Sequence, residues 1–579
     1  MPTGERGEQG SLERRGVAEG FGWVAGDRLA RHELAVDGAE VGVGVVDPGR
    51  DAADRGEAVT AEPAAAEPPG GVAARLRGST GRWLMIFGVS LGLFLVRFLV
   101  PVPVGQSDNR DGPRLMCAMG LGPVTDGHPR FFRYIYFEYI PSGICHGRPP
   151  YWSSELVPLA VARLLTPVFG LPGVLNLIAL GIVFCVIASA GIASLAVGLR
   201  VRLWAQLLVA VGAWLIMADA AFFDVYASPF SEAAALVGLL LVAAGVVYLR
   251  RGGRAAALGL VLAGTGGFLA ILSKEQYLIL AVPVCLTLVL AGPGTGSERG
   301  WRRFRTWQGR ASLAIAAVLA VLTLAYGAWD SLTHYGQRLQ RVQAVDMIFT
   351  DIVTKQATQA TAVADLRALG LPPVWANYAG DFYWHHHPQS VRVSPLFHRY
   401  ESKLTHVNIA HYLLTHPAST VRIGQQSAIF AQQLRVTTLG NYPPDAGHPP
   451  GAAESRVLVL TWLAHQLPRG AGLWWLIPLW AAMAALAIAA LRLPRGKAWH
   501  RDGAAAVLCM TGCAIVAFIP PAYFAGISTT RHMVGTNLAT ALALLISLTL
   551  AVSLIYHTLA REPETAATPA APELAQLRR

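Results

Sequence analysis

Apolar runs of about 20 residues, the length that crosses a hydrocarbon core, recur along this 579-residue chain, and the charges fall between them. Hydrophobic residues make up 53% and charged residues 14%, against about 25% charged in a soluble domain. An all-α integral membrane protein is expected, with about ten transmembrane helices near 83–103, 173–198, 203–222, 232–249, 256–273, 277–292, 311–331, 473–491, 504–525 and 534–556. Basic residues give the orientation. With the N-terminus inside, one set of connections carries Arg200 and Arg202; Arg250, Arg251 and Arg254; Arg299, Arg302, Arg303, Arg305 and Arg310; and Arg492, Arg495, Lys497 and Arg501. The last tail adds Arg561, Arg578 and Arg579. The short connections on the other side hold only Lys274 and Arg531, the asymmetry of a positive-inside protein. The formal charge of +11 is thereby absorbed by membrane orientation, and no nucleic-acid motif accompanies it.

The same reading divides the chain. Residues 1–82 lack core-forming residues and read as a disordered cytoplasmic tail. Residues 83–331 hold spans one to seven, with a long first outer loop over 105–172. Residues 332–472 are too long for a structureless loop and are expected to form a mostly helical extracytoplasmic domain, with helices over 337–368 and 406–433. The segment 456–466 is too short to span and reads as interfacial. Spans eight to ten fill 473–556, and 557–579 is a cytoplasmic tail. Both termini are cytoplasmic in this scheme.

Four clusters lie on the outer side. The first loop begins with Asp108, Asp111 and Arg114; a carboxylate there can take a proton from an attacking hydroxyl or ligate a metal. The same loop holds Cys117 and Cys145, a disulfide candidate if that side is oxidising. Its segment 154–170 is expected to be a helix along the membrane surface, with Glu155 in the first turn. Arg97, inside the first span, either snorkels or points into the site. Spans three and four are joined by Asp219, Asp224, Tyr226, Ser228, Ser231 and Glu232. Helix capping accounts for Ser231 or Ser228 and for Glu232, leaving Asp219 and Asp224 as costly acids at membrane depth. The third cluster is Lys274 with Glu275, a phosphate-binding point charge or a surface pair. The fourth is Arg531 with His532, where a guanidinium can clamp phosphate or anchor the interface. His385, His386 and His387 are consecutive and cannot all face one ion, so they read as a solvated aromatic loop. No P-loop, HExxH or GxSxG elbow appears in a convincing context, which removes support for ATP hydrolysis and acyl-enzyme chemistry.

In order along the chain, SDNRDGPRLMCAMGL, DVYASPFSEAAALVGLLL, SKEQYLILAVP and TRHM, with DLRALGLPP closing 342–372, resemble the GT-C membrane glycosyltransferases. More narrowly, they are similar to bacterial glycan-biosynthesis hexose transferases of the surface and S-layer glycan type. The resemblance covers roughly 83–556, and Ala227 stands where the family's second motif usually has Asn. It implies a GT-C-like bundle in the bacterial cytoplasmic membrane with an extracytoplasmic active site. A hexose or pentose would move from a polyprenyl-phosphate donor to a glycan or lipid acceptor, with inversion. Asp111, or Asp108, would be the general base. Lys274, Arg531, His532 and Arg114 would hold the donor phosphate, and Asp224, Glu232 and Tyr226 the sugar or a metal. A divalent cation (Mg or Mn) stays open as a cofactor. The alternative is a transporter or flippase of a lipid-linked glycan, disfavoured because no repeat is visible and mid-helix regions are nearly uncharged.

Overall fold

The structure is a computed structural model; it describes residues 78–125, 127–142, 151–251, 253–291, 306–354, 358–384, 390–468, 470–492, 498–527 and 529–559. Both expected tails lie almost wholly outside these residues, as do Cys145, the three consecutive histidines and the arginines from 299 to 305. The helices used below are α1 (Ser79–Leu99), α2 (Leu156–Val168), α3 (Leu177–Gly198), α4 (Leu203–Ala218), α5 (Glu232–Leu249), α6 (Gly253–Ile271), α7 (Ala281–Ala291), α8 (Trp307–Leu332), α9 (Leu473–Arg492), α10 (Ala498–Tyr523) and α11 (Val534–Leu559).

Among the described residues, eight helices are long and apolar enough to cross a membrane: α1, α3, α5, α6, α8, α9, α10 and α11. The third expected span is broken, with Leu203–Ala218 and Ala220–Ala227 meeting at 60°. Asp219 is the reason. Its carboxylate accepts Ala221 N at 3.1 Å, and Leu460 N and Thr461 N at 2.7 and 3.1 Å. One aspartate thus ends α4, starts the next turn, and caps the helix Val459–His465 brought in from far along the chain. Capping therefore does explain Asp219, contrary to expectation. The sixth expected span, near 277–292, is a shorter apolar helix, Glu275–Leu290, that opens with 3-10 geometry.

Helix α5 is the hub of the bundle. All its residues are buried, and it packs on α3, α6, α10 and α11. Lipid gives no hydrophobic drive for helix association, so close backbone approach has to supply it. Gly238 and Gly245 of α5 face Gly266 and Gly259 of α6. A Cβ on Gly245 would fall 2.4 Å from Ala263 N, and one on Gly238 would fall 2.6 Å from Gly266 O. Both obstructions are backbone, which cannot rotate away.

The two ends of the bundle differ. At one end Arg250 and Arg251, after α5, approach Asp502 of α10, and Arg251 donates to the Gly198 carbonyl that ends α3. The long loops gather at the other end. There a three-stranded antiparallel sheet, β1 (Leu121–Pro123), β2 (Glu138–Pro141) and β3 (Leu175–Asn176), ties the first loop to the entry of α3. Helix α2 lies between β2 and β3 in the chain, where a helix is expected over 154–170, with Val157, Leu164 and Val168 exposed.

A second hydrophobic core lies in 342–423, around Val345, Phe349, Leu366, Trp375 and Ile409. The helix expected over 337–368 is interrupted: His334–Asp346 runs into a π turn, Met347–Ile352, and Gln359–Ala368 follows separately. The helix expected over 406–433 is split at Pro417, which has no N–H to continue the first piece and opens Pro417–Gln432.

Gly245→Val should wedge α5 from α6, at a cost of about 1–3 kcal/mol. The check is yield and melting of the detergent-solubilised protein by fluorescence size exclusion. Gly264→Val, on the same helix pair but facing Ile315 side-chain atoms, should cost distinctly less.

Candidate active site at the loop-rich end of the bundle

The first loop reaches the site through one tight turn. Asp108 Oδ1 accepts Arg110 N at 2.7 Å and Gly112 N at 3.0 Å, while Oδ2 accepts from Arg130 Nη2 at 2.9 Å. These bonds hold Arg110 at φ +89, a region non-glycine residues avoid. Burial pushes the Asp108 carboxyl up, against the pull of Arg130 and the two amides. With both oxygens committed and the side chain buried, Asp108 shapes the turn. Asp111, three residues on, is half exposed, and its Oδ2 lies 2.8 Å from Arg531 Nη1. Burial works to raise the Asp111 carboxyl, but Arg531 and Lys274 outweigh it and hold it well below the usual carboxylate range.

Arg531 is the meeting point. Its Nη2 and Nε lie 2.7 and 3.0 Å from Glu232 Oε1, and Lys274 Nζ reaches the same oxygen at 3.0 Å. The guanidinium lies over the Phe230 ring, 4.1 Å from its centroid. Asp111, Glu232, Lys274 and Arg531 therefore form one array of two acids and two bases, drawn from four separate connections. Lys274 does not pair with Glu275. Glu232 is not a bystander in the first turn of α5, and Ser231 makes no side-chain cap there. Ser228 Oγ donates instead to Val225 O. His532 is half-buried next to Arg531; burial, then Lys274 and Arg531, lower it to about 3, so it is neutral at physiological pH.

The cap of α5 comes from elsewhere. Glu155, expected to serve the helix it precedes, turns away from it, and its Oε2 accepts Ala234 N at 2.8 Å. Burial pushes its carboxyl up. The residues just before it, Tyr151 to Ser154, are stitched to the end of α6: Ser153 Oγ donates to Ser273 O at 2.6 Å and Ser154 Oγ to Leu269 O at 2.7 Å. This strap fixes both the Lys274 connection and the start of α5.

Asp224 belongs to a different cluster. It lies 3.5 Å from Arg97 Nη2 and 3.1 Å from Arg435 Nη2. Arg97 neither snorkels nor enters the Asp111 array; it pairs with Glu454 and sits over Phe223. Asn441 joins the group by accepting from Arg435, at 3.0 Å, and Arg456 caps the end of α1 by donating to Arg97 O and Val102 O. Tyr226 is fully buried between Phe184 and Phe223, its hydroxyl unpaired. The backbone of its neighbour Ala227 lies tight against the first loop: a Cβ on Gly105 would lie 2.0 Å from the Ala227 carbonyl oxygen.

Beside the array runs a cavity of about 420 Å³, walled by Phe268, Leu272, Leu322, Trp329 and other apolar groups of α6 and α8. Arg114 closes its polar end between the rings of Tyr151 and Tyr335, at 4.8 and 4.3 Å. Burial opposes the Arg114 charge, but Tyr335, Glu275, Tyr151 and Asp111 sustain it. Cys117, which ends the short helix Gly112–Cys117 that carries Arg114, is disulfide-bonded, while Cys185, Cys285, Cys509 and Cys513 are free. Cys145 lies outside the described residues.

The partners of Glu155, Glu454, Arg435 and Arg456 escaped sequence reading. Each is a lone charge whose partner sits tens to hundreds of residues away, with no spacing to signal it. Among the described residues no group of three or more His, Cys, Asp or Glu side chains converges to hold a metal ion, and Asp111 and Glu232 are already bound by cations. The site as it stands does not fit a resident metal.

No curated protein and no solved structure matches the chain. One family model does, over residues 76–561. By that match, and in keeping with a multi-pass membrane protein compatible with glycosyl transfer, the chain belongs to the YfdI N-terminal transmembrane domain family.

Proposed function

We propose that this protein is an inverting membrane glycosyltransferase that moves a hexose or pentose from a polyprenyl-phosphate donor to a cell-envelope glycan or lipid acceptor. The observation that carries the reading is the four-charge array of Asp111, Arg531, Glu232 and Lys274 beside an apolar cavity with Arg114 at its head. The lipid chain occupies the cavity between α6 and α8. The phosphate meets Lys274, Arg531 and Arg114. The acceptor hydroxyl attacks the anomeric carbon and the sugar–phosphate C–O bond breaks. Asp111 takes the hydroxyl proton, and polyprenyl phosphate leaves as an anion that needs charge stabilisation rather than a proton. His532, being neutral, contributes at most a hydrogen bond.

Clamped by Arg531, Asp111 is a weak base, whereas a good general base has a pKa near the working pH. A donor phosphate that takes over Arg531 releases Asp111 and strengthens it. The base is then armed only when the donor is in place. The disulfide at Cys117 supports an oxidising, extracytoplasmic side for this end. The arginine-rich connections at the opposite end support a cytoplasmic side there.

The test is release of polyprenyl phosphate by the purified full-length chain from a panel of polyprenyl-phosphate sugars. Asp111→Asn should lower turnover by about 10²-fold or more, with little change in melting, since Asp111 is half exposed. Asp108→Asn should lower both turnover and melting temperature, since it loosens the turn. Full turnover by the Asp111→Asn protein, or a lipid-linked sugar carried across the membrane intact without release, would overturn the reading.

The pH profile gives a second check. Asp111's carboxyl lies below its ordinary 3.8, so the base form persists as pH falls. Its contribution to stability is present above 3.8 and lost only as pH drops through the lower folded value. The acid limb of kcat/KM should stay flat down to about pH 4, with no step near 6.5 from His532. Lys274→Gln removes one of the two cations that depress Asp111, and should move that limb upward.

A further inference from the structure

The helices around the second hydrophobic core grip the segment that joins α10 to α11 and carries Arg531. Pro520 and Pro521 lie in the last turn of α10. Neither has an amide hydrogen to bond the preceding turn, so α10 alone holds the direction of its exit weakly. The grip comes from elsewhere. Ser427 Oγ donates to Ala522 O at 3.3 Å. Tyr523 and Phe524 pack on the second core, and the Phe524 and His406 rings meet edge to face at 5.5 Å. Gly526, at φ +69, lies against the start of the π turn Met347–Ile352: a Cβ there would fall 2.4 Å from Met347 N and 2.5 Å from Asp346 C. The Thr350 hydroxyl lies 2.7 Å from both Gly526 O and Asp346 O, so its single proton is shared between the turn and the segment. Gln433 Oε1 accepts from Thr530 Oγ1 at 3.1 Å, and Ala431 O accepts from Asn537 Nδ2 at 3.0 Å.

We propose that the helices around the second core aim Arg531, with Thr350 and Gln433 as positioning residues that act through the segment 522–530. That Arg531 meets a donor phosphate rests on the transferase reading above; that these helices set its backbone does not. The guanidinium is held by Glu232, Asp111 and the Phe230 ring. Its backbone is held from the other side, by the π turn at Gly526 and by Gln433 at Thr530. The difference matters when a phosphate takes the place of Asp111. An arginine fixed only through its head group would follow whichever anion it meets. One fixed at its backbone presents the same fork to each, and a misplacement of about 1 Å in such a clamp can cost about 10²-fold in rate. A π turn carries one residue more than an α turn and is rare outside functional sites. Here its start and its Thr350 hydroxyl meet the same glycine, five residues before Arg531.

The test is hydrogen–deuterium exchange of the full-length chain in phosphatidylcholine nanodiscs, read over 529–537, with 232–271 of α5 and α6 as the internal reference. Thr350→Val keeps the shape of the side chain and removes its hydroxyl. The amides of 529–537 should then exchange about fivefold faster, as expected for one lost hydrogen bond, with 232–271 unchanged. Thr350→Ser, which keeps the hydroxyl, should exchange at the wild-type rate. Gln433→Ala alters an exposed side chain, should give a similar gain, and decides alone if Thr350→Val does not fold. Wild-type exchange over 529–537 in the folded variants, or an equal rise over 232–271, would overturn the proposal. In the polyprenyl-phosphate release assay, Thr350→Val should raise the donor KM about fivefold and Thr350→Ser should restore it. A chain that is merely less folded loses kcat with its folded fraction and keeps its KM, and that result would also overturn the proposal. Exchange requires no turnover. A chain whose exchange responds but that releases no polyprenyl phosphate from any donor keeps the positioning and loses the transferase reading. A chain that releases polyprenyl phosphate while its exchange ignores Thr350 and Gln433 loses the positioning alone.

Discussion

A single carboxylate oxygen, Glu232 Oε1, holds both Lys274 and Arg531 at the buried start of α5. Removing one partner from a buried, hydrogen-bonded ion set strands the rest in low dielectric, at a cost of about 3–5 kcal/mol. The loop end of the bundle is arranged around avoiding that cost. Glu155 caps the amides beside Glu232, the 151–155 strap fixes the Lys274 connection, and α11 begins just after Arg531. Asp111 is the exposed fourth member of the set.

The helix that carries Glu232 is also the one with no lipid-facing side. Its glycines bring α6 into backbone contact, so the register of α5 against α6 is set by steric fit rather than by charge. That register fixes where Lys274, three residues past the end of α6, meets Glu232. Packing in the membrane and charge geometry at its edge are thus one constraint. The second ion cluster, with Arg97, Asp224, Arg435 and Glu454, works differently: it pins residues from 435 to 456 against α1 and the broken α4. Asp224 is a fastener of the fold there.

Much of the bundle was legible because the relevant signals are local. A span is a run of apolar residues, and an amphipathic helix such as α2 shows an apolar stripe. Pro417 splits a helix by chemistry it carries itself, yet the periodicity around it hid the break. The bend at Asp219 was illegible, since its cause is a set of amides at Leu460 and Thr461. Lys274, Arg531 and Asp111 stood out as charges close to the ends of apolar runs. Glu155 looked like part of its own helix, and Glu454 looked like nothing.

Residue order alone shows that this chain is a membrane protein, roughly which segments are long and apolar enough to cross, and which few charges need explaining. That follows because lipid penalises polar groups residue by residue, so the penalty is written in the order of residues. Which charges pair is set by the three-dimensional packing. Asp111 joins Arg531 while Asp108 and Asp224 are drawn into structural bonds, and the partners lie up to several hundred positions apart. Coulomb attraction depends on distance in space, and only the packing of α5 against its neighbours fixes that distance.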